Sequence, residues 1–196
     1  MEQKIDIKSL YDELSKTYAI EYRNSYEVIY PNGFEIKTYG NRYVKLVAVS
    51  RHKTNKHLVK IIIKTEKTID DKQYLAKHFD EVIVTTDHVC MRYDRDHFFE
   101  NINAKNLKID DYVSVYDESE DKELIGTIVN IKDLGETEDY VYDCEVDDDM
   151  HAFYADNVLI HNSQFINIKC VTDHFKQQYG YDENLGMHTL SNGYTY

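Results

Sequence analysis

The sequence has little of what disulfide frameworks, zinc motifs and membrane spans require. Its three cysteines, Cys90, Cys144 and Cys170, are too few and too scattered for a disulfide framework or a CxxC zinc site. None of the nine histidines forms an HxxxH or HExxH pair. No apolar run approaches the roughly 18 residues of a membrane span, and no signal peptide is present. A reduced, cytoplasmic, soluble protein is therefore expected.

Positive charge is scarce as well. Acidic residues outnumber basic ones by 36 to 23, and the net charge of −13 argues against direct nucleic-acid binding through a broad basic surface. The 196 residues fit one or two domains and leave ample length for a hydrophobic core.

Short β-strands dominate the apolar pattern. About ten segments from Tyr26 onward are β-branched or alternating, with turn residues between them, which predicts a mainly β sandwich or folded barrel. The turn Pro31-Asn32-Gly33 predicts a hairpin between its two flanking strands. A short amphipathic helix is predicted at residues 8–18 and a helical turn at 103–107, while residues 70–79 fit either a helix or a hairpin.

A strand at 158–160 runs into His161-Asn162-Ser163, a sequence with its own chemistry. An asparagine side chain can attack its own main-chain carbonyl, which closes a succinimide and cuts the 162–163 bond. His161 is placed to assist as a proton donor or oxyanion partner, and Ser163 can carry an ester before the cut. The plainer alternative is a turn, since Asn-Ser is common after a strand.

Four segments, taken together, resemble the splicing blocks of inteins. Residues 82–91 resemble a T-x-x-H block, residues 140–155 resemble the penultimate block, and residues 158–163 resemble the downstream junction. Residues 49–61 are similar to the strand pair of inteins hosted by family B DNA polymerases. The order and spacing of the blocks agree with that family. The resemblance implies a horseshoe-like, folded β architecture, the Hint fold, with one or two short helices.

The resemblance also implies roles for individual side chains in an autocatalytic, single-turnover reaction that needs no cofactor. His88 would protonate the leaving amide nitrogen upstream, while Thr85 helps to hold the strained bond. Asp143 would coordinate the two junctions during ester transfer, and His151 would support proton movement around Asn162. Each has a plainer alternative: a capping or loop pair, a surface-facing acid, and a core or edge histidine.

The upstream end departs from the family pattern. A complete intein begins with a Cys or Ser nucleophile, but this sequence reads Met1-Glu2-Gln3 and has no clean first block. One interpretation is a compact cis-splicing intein from Ser25 to residue 162. The favoured one is that residues 1–162 form the long C-terminal fragment of a split intein. A short N-terminal partner would then carry the first Cys or Ser nucleophile.

Residues 163–196 are interpreted as the start of the C-extein, the host segment downstream of the intein. The polymerase-like block at 49–61 makes a family B DNA polymerase a candidate host. A homing endonuclease is not predicted, because only residues 89–142 separate the two central blocks. A third interpretation is a non-catalytic β interaction domain of a phage protein, in which residues 162–163 would form an ordinary solvated turn.

Overall fold

The computed structural model describes residues 5–69, 74–94, 96, 98–162, 181–182 and 187–188. The chain divides into two compact units, Met1–Ser163 and Gln164–Tyr196. The described part of the second unit is one antiparallel strand pair, Tyr181–Asp182 with Met187–His188. Ser163 lies outside the described residues.

The described part of the first unit contains one α-helix, one 3-10 turn and thirteen strands, so the mainly β prediction is confirmed. The elements are α1 Ile7–Leu14, β1 Ile20–Arg23, β2 Tyr26–Ile29, β3 Glu35–Thr38, β4 Arg42–Lys53, β5 His57–Ile69, β6 Tyr74–Thr85, β7 Val89–Tyr93, β8 Phe99–Asn103, the 3-10 turn Ala104–Asn106, β9 Tyr112–Asp117, β10 Lys122–Glu136, β11 Tyr140–Val146, β12 Ala152–Ala155 and β13 Val158–His161.

Helix α1 begins at Ile7, one residue before the helix predicted at residues 8–18. Asp6 is its N-cap, and the Asp6 side chain accepts a hydrogen bond from Ser9 N at 2.9 Å. The helix buries Tyr11 and Leu14 and ends at Leu14, earlier than predicted. A helix of eight residues is marginal on its own in water, so burial of these two side chains supplies most of its stability.

The strands form two sheets. In the smaller sheet the order is β1-β2-β4-β11, and β3 pairs with β4 beside that path. In the larger sheet the order is β12-β13-β7-β9-β10-β5-β6, with β8 paired to β7. One core cluster takes buried side chains from both sheets, including Ile29 and Val49 from the smaller and Ile63 and Ile128 from the larger.

The predicted hairpin across Pro31-Asn32-Gly33 is wrong. Strands β2 and β3 both pair with β4 rather than with each other, in the registers Val28↔Ser50 and Ile36↔Val44. The physical reason is that β4 is 12 residues long and presents enough backbone for two four-residue strands in succession. By contrast, residues 74–79 form part of a true hairpin, because β6 pairs with β5 along its whole length.

Strand β10 packs closely against its neighbours in the larger sheet. Gly126 on β10 leaves no room for a side chain, since a Cβ there would lie 2.4 Å from Ile63 Cγ2 and 2.8 Å from Val115 Cγ2.

In the part of the chain that is described, no helix has the length and apolarity to cross a membrane.

Candidate active site

Strand β13 delivers His161 and Asn162 to the interior of the first unit. All four residues of β13 are buried, and the strand is paired with β12, β7 and β9. The apolar residues at 158–160 drive this burial and carry the two polar residues with them. Asn162 is 2% exposed and His161 is 6% exposed. Residue 162 is therefore not part of a solvated turn, which argues against the non-catalytic interpretation of the junction.

The imidazole of His161 contacts the carbonyl that asparagine cyclisation would attack. His161 Nδ1 lies 2.5 Å from the main-chain oxygen of Asn162. A carbonyl oxygen can only accept, so Nδ1 carries the proton and donates it to this bond. The same oxygen belongs to the 162–163 peptide, and it gains negative charge when a nucleophile adds to its carbon. The contact is that of an oxyanion donor.

The Asn162 side chain is fixed by main-chain atoms of neighbouring segments. In the amide orientation that satisfies both side-chain atoms, Nδ2 donates to His151 O at 2.8 Å and Oδ1 accepts from Val146 N at 3.3 Å. The Asn162 main-chain N also donates to His151 O, at 2.7 Å. These three contacts limit the conformations of the prospective nucleophile. Their partner atoms belong to β11 and to the segment before β12.

His151 acts on Asn162 through its carbonyl, while its ring is on the exposed side. The residue adopts a left-handed backbone conformation with φ of 49°, which turns the chain between residues 148 and 152. The ring centroid of His151 lies 6.1 Å from that of His161. The structure therefore brings His151 to the junction, and it gives the main chain a role that the sequence does not reveal.

Thr85 is the last residue of β6, and His88 lies in the tight turn that follows it. His88 N donates to Thr85 O at 3.0 Å, and the turn is fixed from outside because Ala104 N donates to His88 O at 2.8 Å. Among the described residues, none is a hydrogen-bond partner for the buried His88 Nε2. Burial lowers the pKa of His88, against the opposing effect of the Asp143 carboxylate, and a positive charge on His161 would lower it further.

Asp143 approaches from the other sheet. It lies in β11 opposite Ser50 of β4, is partly buried, and accepts a hydrogen bond from Cys144 N at 2.8 Å. Its charge raises the pKa of both His88 and His52, although burial lowers the pKa of each overall. Asp143 therefore lies near the imidazoles of His88 and His52, and it is not an isolated surface acid.

His52 is a site neighbour to which the sequence assigned no role. It lies in β4, within the polymerase-like block, and the residue opposite it in β2 is Tyr26. The two rings are in contact in a tilted arrangement, with centroids 4.2 Å apart and planes inclined at 44°. No local motif marks His52, because its proximity to Asp143 depends on the pairing of β4 with β11.

The site contains imidazoles, a carboxylate and an amide, and within the described ranges no three His, Cys, Asp or Glu side chains converge to hold a metal ion. The geometry is instead that of groups arranged around one peptide bond. Five predicted residues, Asn162, His161, His151, His88 and Asp143, are linked by contacts or mutual charge effects, and Thr85 joins them through the main chain of His88.

Comparisons with known proteins agree with this architecture. No protein-family model and no curated protein match the chain. Among solved structures, an intein from a hyperthermophile is 18% identical, with 81% of this chain and 89% of that chain covered and a TM-score of 0.63. The TvoVMA intein is also 18% identical, with 82% and 90% covered and a TM-score of 0.63. This chain has the intein fold.

A further neighbour is the KlbA intein precursor from Methanococcus jannaschii, which is 17% identical, with 82% of this chain and 84% of that chain covered and a TM-score of 0.58. At these identities the likeness establishes the Hint architecture predicted from the four blocks. The chemistry of this chain depends on its own side chains within that fold.

Proposed function

We propose that residues 1–162 are a protein-splicing domain, and that the reaction ends with cleavage after Asn162. The single observation that carries this proposal is the 2.5 Å contact from His161 Nδ1 to the Asn162 carbonyl oxygen in a buried setting. A hydrogen-bond donor at the oxygen of a buried peptide bond next to asparagine serves cyclisation directly.

In this step Asn162 Nδ2 attacks the main-chain carbon of the same residue. Nδ2 loses one of its two protons as the new carbon–nitrogen bond forms. The carbon–nitrogen bond to Ser163 breaks, its electron pair goes to the Ser163 nitrogen, and that nitrogen takes up one proton to become a free amine. Asn162 is left as a C-terminal succinimide. His161 stabilises the oxyanion, and the neighbouring His151 and His88 are available for proton transfer through direct or water-mediated contacts.

The upstream half of the reaction is proposed to require a partner polypeptide. Its first Cys or Ser would take the upstream acyl group, and Ser163 Oγ would attack that thioester or ester to give a branched intermediate. An acyl shift from oxygen to nitrogen would finally join the exteins through a peptide bond. The neutral form of His88, favoured by its lowered pKa, and the buried Nε2 without a partner among the described residues support a role at an additional junction.

The cis-splicing alternative from Ser25 has less support. Ser25 is exposed in the tight turn between β1 and β2, which are paired from Arg23↔Tyr26 to Ile20↔Ile29. A cut at residue 25 would separate two strands of one hairpin in the smaller sheet. A partner added in trans leaves that sheet intact.

The test is to mix the full chain with tagged N-terminal intein fragments and to identify the joined product by intact mass. We expect ligation of the tag to residues 163–196 only when a fragment with Cys or Ser at position one is present. Two results would contradict the scheme. One is release of the tail without any added fragment, and the other is ligation from an Asn162→Ala variant. Sequencing the upstream extein of the native ligated product tests the proposal that the host is a family B DNA polymerase.

A further inference from the structure

A second polar site lies at the start of β13, whose other end carries Asn162. It is a cavity of about 200 Å³ bounded by β5, β6, β9, the β9–β10 turn and the β12–β13 turn. Three carboxylates line it, Asp80, Asp117 and Glu118, and its described lining includes neither lysine nor arginine. The cavity therefore has a strongly negative lining.

Two residues that line this cavity, Thr65 and Asp80, each have a buried oxygen with no hydrogen-bond partner within the described part of the protein. Asp80 is 6% exposed; its Oδ1 accepts from Asn157 Nδ2 at 3.1 Å, but its Oδ2 is buried without a hydrogen bond. Thr65 Oγ1 is likewise buried without a hydrogen bond, in a residue that is 1% exposed. Leaving such oxygens unsatisfied is costly, most of all for a carboxylate.

A second buried carboxylate increases that cost. Asp117 is 5% exposed, and its Oδ1 accepts from Ser119 N at 3.0 Å and from Ser119 Oγ at 2.7 Å. Two buried like charges on one cavity repel each other in a medium of low dielectric constant. Asp80 also lies close to an imidazole: His78 Nε2 is 3.3 Å from Asp80 Oδ1, and His78 carries a charge only when protonated. Ordered water could satisfy the hydrogen bonds but not the net charge.

We propose that this cavity binds a hard divalent cation of the Mg²⁺ and Ca²⁺ class, with Asp80 Oδ2 and Thr65 Oγ1 as ligands. Such cations prefer oxygen donors, and Mg²⁺ commonly keeps several waters while one or two carboxylates hold it. The cavity has room for that water shell, since a water takes roughly 30 Å³.

The ion would connect segments that are distant in the sequence. Asn157 already joins β6 to the β12–β13 turn through its bond to Asp80, and it joins β9 through Tyr116 N, which donates to Asn157 O at 2.8 Å. A cation between Asp80 and Thr65 would stabilise the same junction of strands. No local sequence motif marks this cation site, because its proposed ligands lie in β5 and β6. The carboxylate of Asp117, whose charge the ion would offset, lies in β9.

The test uses the full chain, freed of metal by a chelator and titrated separately with MgCl₂ and CaCl₂. We expect one ion per chain by calorimetry and a rise in Tm of about 5 to 10 °C at about 100 times the Kd. Asp80→Asn should abolish that rise and, by removing one of two like charges, should raise the Tm in chelator. Thr65→Val should weaken cation binding about tenfold while filling the same volume. Asp12→Asn, the same change at an exposed position of α1, should respond like the parent chain.

Three outcomes would overturn the proposal. The first is an equal rise in Tm from NaCl at the same ionic strength, which would mean general screening of the −13 charge. The second is an unchanged cation response in Asp80→Asn, or in Thr65→Val should Asp80→Asn not fold. The third is no rise up to about 10 mM of either cation, beyond the weakest protein calcium sites. None of these results depends on splicing, so the two proposals fail separately.

Discussion

Replacing His161 by alanine removes the donor to the peptide bond that is proposed to break. In the parent chain Nδ1 donates at 2.5 Å to the Asn162 carbonyl oxygen, and that oxygen develops negative charge during cyclisation. Loss of one such preorganised donor costs about 2.7 to 4 kcal/mol of transition-state stabilisation, or about 10² to 10³ in rate. Asn162 is only 2% exposed, so solvent has little access to replace the donor, and we expect the upper part of that range.

The assay is the release of residues 163–196 after the full chain is mixed with its N-terminal partner, followed by intact mass. His57→Ala is the matched control, because the His57 side chain is exposed and its ring lies beside the acids Asp133 and Glu136, away from the junction. Circular dichroism must show that both variants are folded. A folded His161→Ala variant that releases the tail within a factor of about three of the parent, less than 1 kcal/mol, would refute the oxyanion assignment.

Three further predictions concern stability. Gly126→Ala should lower the Tm by about 5 °C, since overpacking against Ile63 costs about 1 to 3 kcal/mol, whereas Ile125→Ala on the exposed face should change it little. Thr38→Val should cost about 1 to 3 kcal/mol in urea unfolding, because it removes the buried 2.6 Å bond to Ala152 O; exposed Thr17→Val is its control. His88 has a lowered pKa, so the unfolded chain binds more protons as pH falls below about 6.5; stability should drop there, and by less in His88→Gln. An equal acid loss of Tm in both chains would contradict the His88 assignment.

Strand identity could largely be predicted from local sequence. Apolar and acidic residues alternate from Tyr142 to Val146, and residues 140–146 form β11. The apolar run at 158–160 is likewise buried in β13. Such patterns succeed because the side-chain period of a strand is independent of which strand it pairs with. The same reasoning found the helical turn near residue 104, which is a 3-10 turn.

Pairing was less predictable, as the turn at residues 31–33 shows. Its sequence suits a hairpin, yet β2 and β3 both lie along β4, because the longer strand offers more backbone and a buried face to each. Likewise, the local sequence around His52 gives no sign that β11 brings Asp143 near its ring. Both outcomes depend on contacts between residues far apart in the chain.

The chemistry that is available can be read from the amino-acid order: an asparagine that can cyclise, a histidine before it, and further imidazoles and an acid in the order of the intein blocks. Which atoms act depends on how the strands fold together. Burial of β13 places His161 Nδ1 on the carbonyl of Asn162, and the carbonyl of His151 and the nitrogen of Val146 hold the amide. Main-chain groups are the same in every residue, so their role is set by folding and not by sequence. The cavity beside Asp80 follows the same rule, since the residues that line it meet only when β5, β6 and β9 assemble.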